Sequence, residues 1–190
     1  MSSATMERTE AAKLPDGDVI AVLLTQHARI RDLFATIGTT SGEMRRKAFD
    51  ELRALLAVHE VAEELIVRPV AKRTAGSQEA DARNAEEAEA AEVLKHLEGL
   101  DVDSAEFTSA IKEFEKSVGD HADSEEAEEF PAILHGCTQE ERHTMGERLQ
   151  AAEKMAPSHP HPTAAGKPGM VALTGPFAAM MDKVRDAMGR

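Results

Sequence analysis

The sequence contains no tryptophan and no tyrosine, and only six of its 190 residues are phenylalanine. Sheet proteins draw on aromatic and β-branched residues for their pleated faces, so a sandwich or barrel fits poorly with a chain this rich in Ala, Glu and Leu. A single cysteine, Cys137, leaves no partner for an intrachain disulfide. Basic residues are also scarce. There are 22 Lys and Arg against 35 Asp and Glu, for a formal net charge of −13. No basic cluster supplies the concentrated positive charge that nucleic-acid binding needs. No run of about 18 apolar residues is available to span a membrane. The opening MSSATMERTEAAKLPDGD lacks the apolar stretch of a secretory signal. The expected compartment is therefore the cytoplasm.

What is present points to helices. With 42% hydrophobic residues and only 12 Gly and 8 Pro, the chain has material for a core of Leu, Ile, Val, Ala and Met and too little punctuation for disorder. Residues 1–17 are polar and expected to be a flexible N-terminus. A first helix should run from Asp18 to Ile37 with Gly38 as its stop. A second is opened by the capping-box spacing Thr40/Glu43 and ends near Arg68, before Pro69. A third runs from Ser77 to Leu97. A fourth opens at Asp103/Glu106 and reaches toward His135, and Thr138/Glu141 opens a fifth that fades near Met155. Four helices of similar length with short connections predict an all-α, antiparallel up-down-up-down four-helix bundle over residues 18–156. A Pro/Gly-rich linker is expected over 157–175, followed by an amphipathic C-terminal helix over 176–190.

The helices carry apolar seams at alternating +3/+4 spacing, and polar residues interrupt them midway. The first helix reads Ile20, Leu23, His27, Ile30, Phe34, Ile37. The second reads Leu52, Leu56, His59, Glu63, Ile66, Val70, and the fourth Phe107, Ile111, Phe114, Val118, His121, Glu125. A core-facing ionisable group costs several kcal/mol unless it is paired, neutralised or bound to metal. One such histidine is ordinarily a hydrogen-bonded core residue. Here three helices each place a histidine in the seam, and two of them stack a glutamate four residues later on the same face. Imidazole and carboxylate converging from several helices form a ligand set for iron, manganese or zinc.

An internal repeat supports that reading. HxxxEExxxxP occurs from His59 to Pro69 and again, 62 residues on, from His121 to Pro131. Two helix pairs related by a pseudo-twofold axis would each supply half of a dinuclear site. The third helix should then carry the counterpart of His27. Its seam Ala80, Arg83, Glu87, Ala90, Leu94, Leu97 selects Glu87, with Glu86 as the alternative if the register slips by one. His96 lies nine residues from Glu87, about 180° around a helix, and is read as a surface residue. Glu60, Glu64 and Glu126 flank the ligands and are either orienting partners of the imidazoles or solvated charges.

The constellation of His27, His59-x-x-x-Glu63 and His121-x-x-x-Glu125 resembles the hemerythrin-like (HHE cation-binding) family and is similar to the hemerythrin-like proteins of actinobacteria. The resemblance covers roughly residues 18–131. It implies a helical bundle holding two non-heme iron ions, oxo- or hydroxo-bridged and spanned by the two glutamates. The metal ligands it implies are His27, His59, Glu63, His121 and Glu125, with Glu87 standing where the family carries a histidine. A site with three carboxylates is more anionic than a histidine-rich one and should favour ferric iron over clean reversible oxygen carriage. The expected small-molecule partners are O2, hydrogen peroxide or nitric oxide, with catalase-like peroxide decomposition as the implied activity. A separate reductant and weak self-association belong to the same expectation. A non-enzymatic, iron- or oxygen-responsive sensing module is the alternative. A ferritin-like iron oxidase ranks lower, because its Glu-x-x-His spacing occurs only at Glu140/His143, outside the seams.

Overall fold

The computed structural model describes residues 2–155, apart from the side chains of 61, 65, 79–81, 84, 87, 88, 91 and 152–155. The described residues are helices and their connections, an all-α bundle as expected. In chain order they are α1 (Ser3–Ala11), α2 (Val19–Thr39), α3 (Gly42–Ala62), α4 (Arg68–Thr74), α5 (Ser77–Glu98), α6 (Ala105–Ser124), α7 (Phe130–Gly136) and α8 (Gln139–Met155). A π-helical turn, Glu63–Val67, joins α3 to α4, and a second, Glu125–Glu129, joins α6 to α7. No helix among the described residues is long and apolar enough to cross a membrane. The expected linker at 157–175 and terminal helix at 176–190 lie outside the described residues.

The seams are buried as their spacing predicts. Ile20, Leu23, Ile30, Phe34 and Ile37 of α2, Leu52 and Leu56 of α3, and Phe107, Ile111 and Phe114 of α6 all lie in the core. Burying such side chains contributes about 1.5–3 kcal/mol each relative to exposure. The apolar core divides in two. One lobe gathers Phe34, Phe49, Leu52, Leu94, Leu97, Phe107 and Phe114. The other gathers Val19, Ile20, Leu23, Ile66, Val67, Phe130, Ile133 and Leu149.

Several boundaries differ from expectation, each for a local reason. The segment before Asp18 holds α1, which packs on α2 because it buries Ala4 and pairs the buried Glu7 with Arg31 of α2 and Arg8 with Asp32. Gly38 does not stop α2, which continues to Thr39. Thr40 is not the cap of α3. Ser41 holds that place without a side-chain bond, and the Gly42 amide donates instead to Asp103 Oδ1 at 2.9 Å. With Asp103 so engaged, Ser104 caps α6, accepting from the Phe107 amide at 3.0 Å. The Thr138/Glu141 box forms in both directions: the Thr138 amide donates to Glu141 Oε2 and the Glu141 amide to Thr138 Oγ1.

Proline does not end the helices at Pro69 and Pro131. The Arg68 amide donates to the Glu63 carbonyl and the Phe130 amide to the Glu125 carbonyl, each five residues back. The wider turn places each proline in the first turn of the next helix, where its missing N–H is not needed. The repeat in the sequence is thus a repeat in the backbone. Glu63 and Glu125 each open a π turn, a form that concentrates at functional sites.

Candidate metal centre

The polar interruptions of the seams meet in one layer between the two apolar lobes. His27 from α2, His59 from α3, Glu63 from the first π turn and Glu125 from the second are all buried. Each offers one ligand atom, and these atoms lie within 4.8 Å of one another. His27 Nε2 and His59 Nε2 stand 3.2 Å apart. His27 Nε2 is 3.5 Å from Glu125 Oε2, and His59 Nε2 is 3.5 Å from Glu63 Oε1. His121 on α6 joins through Glu125, its Nε2 3.3 Å from Oε1. Glu125 therefore turns one oxygen toward His27 and the other toward His121.

Each imidazole is oriented from its far side. His27 Nδ1 is 2.8 Å from Glu126 Oε1, His59 Nδ1 is 2.7 Å from Gln26 Oε1, and His121 Nδ1 is 2.8 Å from Glu86 Oε2. A partner on Nδ1 fixes the tautomer and turns Nε2 inward as a lone-pair donor. Phe130 stacks on the His27 ring at 5.5 Å between centroids.

The electrostatics follow from dryness and proximity. Burial, with the charge of His27 added to it, pushes the His59 pKa down to about 3, so this imidazole is neutral and ready to coordinate. Burial also opposes charge on His27, but the adjoining carboxylates of Glu125 and Glu126 outweigh it and raise its pKa above the ordinary value. Burial works against the charged carboxylate of Glu125 too, yet His121 and His27 hold its pKa well below the usual range.

The residues present fit a metal cation. Glu125 Oε2 is buried and accepts no hydrogen bond among the described residues. Ligands at about 2.0–2.1 Å from a metal, in neighbouring positions of a tetrahedron or octahedron, are separated by roughly 2.8–3.4 Å. The distances of 3.2 to 3.5 Å among these donors are close to that spacing. Mixed imidazole and carboxylate donors suit iron, manganese or zinc.

A cavity of about 430 Å³ opens beside the cluster. Its lining includes His27, His59, His121 and Glu86, the apolar Ile30, Phe34, Leu56 and Val118, and Ser2, Ser3 and Ala4 of the N-terminal segment.

Of the six expected ligands, the structure gathers His27, His59, Glu63 and Glu125 and sets His121 against them. The side chain of Glu87 lies outside the described residues. Its neighbour Glu86 stands on the outer nitrogen of His121, an orienting position. His96 is exposed, beside Glu106. Among the flanking acids, Glu126 orients His27, Glu60 is buried and lines the cavity, and Glu64 is exposed. Sequence reasoning did not single out Gln26, Arg68 or Glu129. Arg68 and Glu129 are buried and paired at 2.6 Å. Glu129 had a signal, since it lies four residues beyond Glu125 and extends the same seam.

Comparison with known proteins agrees with this geometry. The family profile "Hemerythrin HHE cation binding domain" matches residues 18–133. An uncharacterized hemerythrin-like protein of Schizosaccharomyces pombe is 30% identical over 136 residues, which cover 70% of this chain and 67% of the relative. No solved structure matches.

Proposed function

Given that the chain belongs to the hemerythrin HHE cation-binding domain family, we propose that its buried cluster holds two non-heme iron ions and reacts with O2, hydrogen peroxide or nitric oxide. The observation that carries this reading is the orientation of the three histidines. Each holds Nδ1 against an outer partner and turns Nε2 toward a carboxylate of the cluster. His27, His59, Glu63 and Glu125 would hold one metal ion. His121, with Glu125 and, from the register of its helix, Glu87, would hold the other.

Iron bound here supplies the one- and two-electron changes that these small molecules require. The chain's own residues do the rest. Glu126, Gln26 and Glu86 keep the imidazoles in one tautomer. The apolar lobes keep bulk water from the donors, which strengthens every charge interaction among them. The cavity beside His27, His59 and His121 has room for a small molecule. Three carboxylates favour the ferric state, which supports peroxide decomposition over reversible oxygen carriage.

Elemental analysis of the purified protein, with a visible spectrum of the same sample, tests the reading. Because the chain has no Trp or Tyr, the metal-free protein is almost transparent in the aromatic near-ultraviolet, and metal-linked bands stand out. The expected result is about two irons per chain, with oxygen evolved from peroxide by the loaded protein. One zinc per chain, or no metal, would overturn the di-iron reading. Two irons without oxygen evolution would remove the catalase-like activity alone.

A further inference from the structure

We propose that Arg68 sets the charge of the metal centre, and that Glu129 moderates it. This rests on the di-iron reading above for its redox part and on the buried geometry for the rest. Arg68 is 2% exposed. Its Nη1 donates to Glu129 Oε1 at 2.6 Å, while Nη2 lies 3.4 Å from Glu125 Oε1 and 3.9 Å from Glu63 Oε2. One guanidinium therefore stands beside both ligand carboxylates, which come from opposite halves of the repeat. Glu63, Glu125 and Glu129 are each no more than 1% exposed, so these charges act on one another with little water between them.

The π turns create this arrangement. In an α-helix, Arg68 would sit roughly 140° around the axis from Glu63. The turn at Glu63–Val67 widens the helix, with the Arg68 amide bonded to the Glu63 carbonyl. Glu129 is the last residue of the second π turn, and α7, which follows it, packs on α4. A methionine and a leucine would fill the same space without taking two charges out of water, a replacement that is often neutral or stabilising for a buried pair. As packing, then, the pair is expensive. As a device beside two ligand carboxylates, it places a cation that stays charged at every accessible pH, and its fork of donors reaches Glu129 and Glu125 with Glu63 3.9 Å away.

Arg68 is thus a positioning residue with an electrostatic role. A fixed positive charge near the metals favours the less positive, ferrous state, and a fixed negative charge favours the ferric state. The two members of the pair therefore pull the midpoint potential in opposite directions.

The test is a spectroelectrochemical titration of the iron-loaded full chain and its variants. Arg68→Met is expected to shift the potential downward and Glu129→Gln upward, with the double variant between them and near the parent. Arg68→Lys keeps the charge but not the fork, so its potential is expected to stay near the parent while metal affinity falls several-fold. Shifts of the same sign in Arg68→Met and Glu129→Gln, or no shift in either, would overturn the proposal. If Arg68→Met does not fold, Glu129→Gln decides: an unchanged or lowered potential overturns it. A second arm does not depend on iron. Competition titration with Zn²⁺ is expected to show several-fold weaker binding in Glu129→Gln and tighter binding in the double variant than in Glu129→Gln. Equal affinities in the two would overturn the charge-setting role whichever metal the protein carries. A parent chain that binds Zn²⁺ with this pattern but takes up no iron would defeat the di-iron reading and leave the role of Arg68 standing.

Discussion

His59 and His27 sit 3.2 Å apart at Nε2 yet respond to pH in opposite senses. In the metal-free chain, burial pushes His59 from 6.5 down to about 3. Between those values the unfolded chain takes up a proton that the folded chain refuses, so stability falls as pH falls. The slope is at most about 1.4 kcal/mol per pH unit. His27 has its pKa raised by Glu125 and Glu126 against the effect of burial. Its contribution is fully present below 6.5 and is lost as pH climbs through the raised value. Glu125, held low by His121 and His27 against its burial, adds stability above about 4.5 that is lost in stronger acid. The metal-free protein should therefore be most stable near pH 6.5, with an acid limb set first by His59. Urea midpoints measured across pH would check this, and His59→Gln should flatten the limb between pH 6.5 and 4.5. An unchanged limb in that variant would refute the assignment. The candidate ligands stood out in the sequence because i,i+4 His/Glu pairs on an apolar face have few other reasons to exist. Gln26 and Glu86 were harder to read, because each orients an imidazole on a different helix and no spacing within one helix reveals such a pairing.

At the scale of elements, capping signals and seams located most helix starts, while proline misled at Pro69. It read as a stop, yet Pro69 and Pro131 each lie in the first turn of a following helix, made compatible by the π turn before it. No local propensity announces a π turn. Its only trace was the repeated HxxxEExxxxP. If that wider turn positions Glu63 against Arg68, removing one of its residues should straighten the helix and break the site. Deletion of Glu64, which is exposed, should retain helical circular dichroism but lose at least half of the bound metal. Retention of full metal content would separate the π turn from ligand placement. The join of α8 is equally exacting. A Cβ on Gly146 would stand 2.0 Å from the Gly17 carbonyl oxygen, and Asp18 binds Arg142 Nε at 2.7 Å nearby. Gly146→Ala should destabilise the protein by about 1–3 kcal/mol, as overpacking does, and calorimetry would register it. The sequence marked α8 by its capping box, but nothing in one strand of text showed that its glycine touches a loop some 130 residues earlier.

The whole molecule is two apolar lobes separated by a layer of ionisable groups. Phe34, Phe49, Phe107 and Phe114 pack in one lobe, and Ile20, Leu23, Phe130 and Ile133 in the other. His27, His59, Glu63, Glu125, Arg68 and Glu129 lie buried where α2, α3, α6 and the π turns pass from one to the other. Dispersion and burial hold each lobe together without help. Across the layer, cohesion depends on how well these groups compensate one another, because each unmatched buried charge costs several kcal/mol. A metal bound by residues from three helices and both π turns ties the lobes through their weakest level. Ligand binding confined to the folded state adds RT ln(1 + [L]/Kd), about 4 kcal/mol at a thousandfold excess over Kd. Chelation should therefore lower the melting temperature. It should also act unevenly: amide exchange should quicken first around Glu63–Val67 and Glu125–Glu129, while the amides of α2 around Phe34 and of α6 around Phe107, deep in the first lobe, keep their protection longest. Hydrogen exchange of loaded and chelated protein, followed peptide by peptide, distinguishes this from a uniform loss of stability. Equal acceleration across both lobes and both π turns would mean that the metal layer does not couple them.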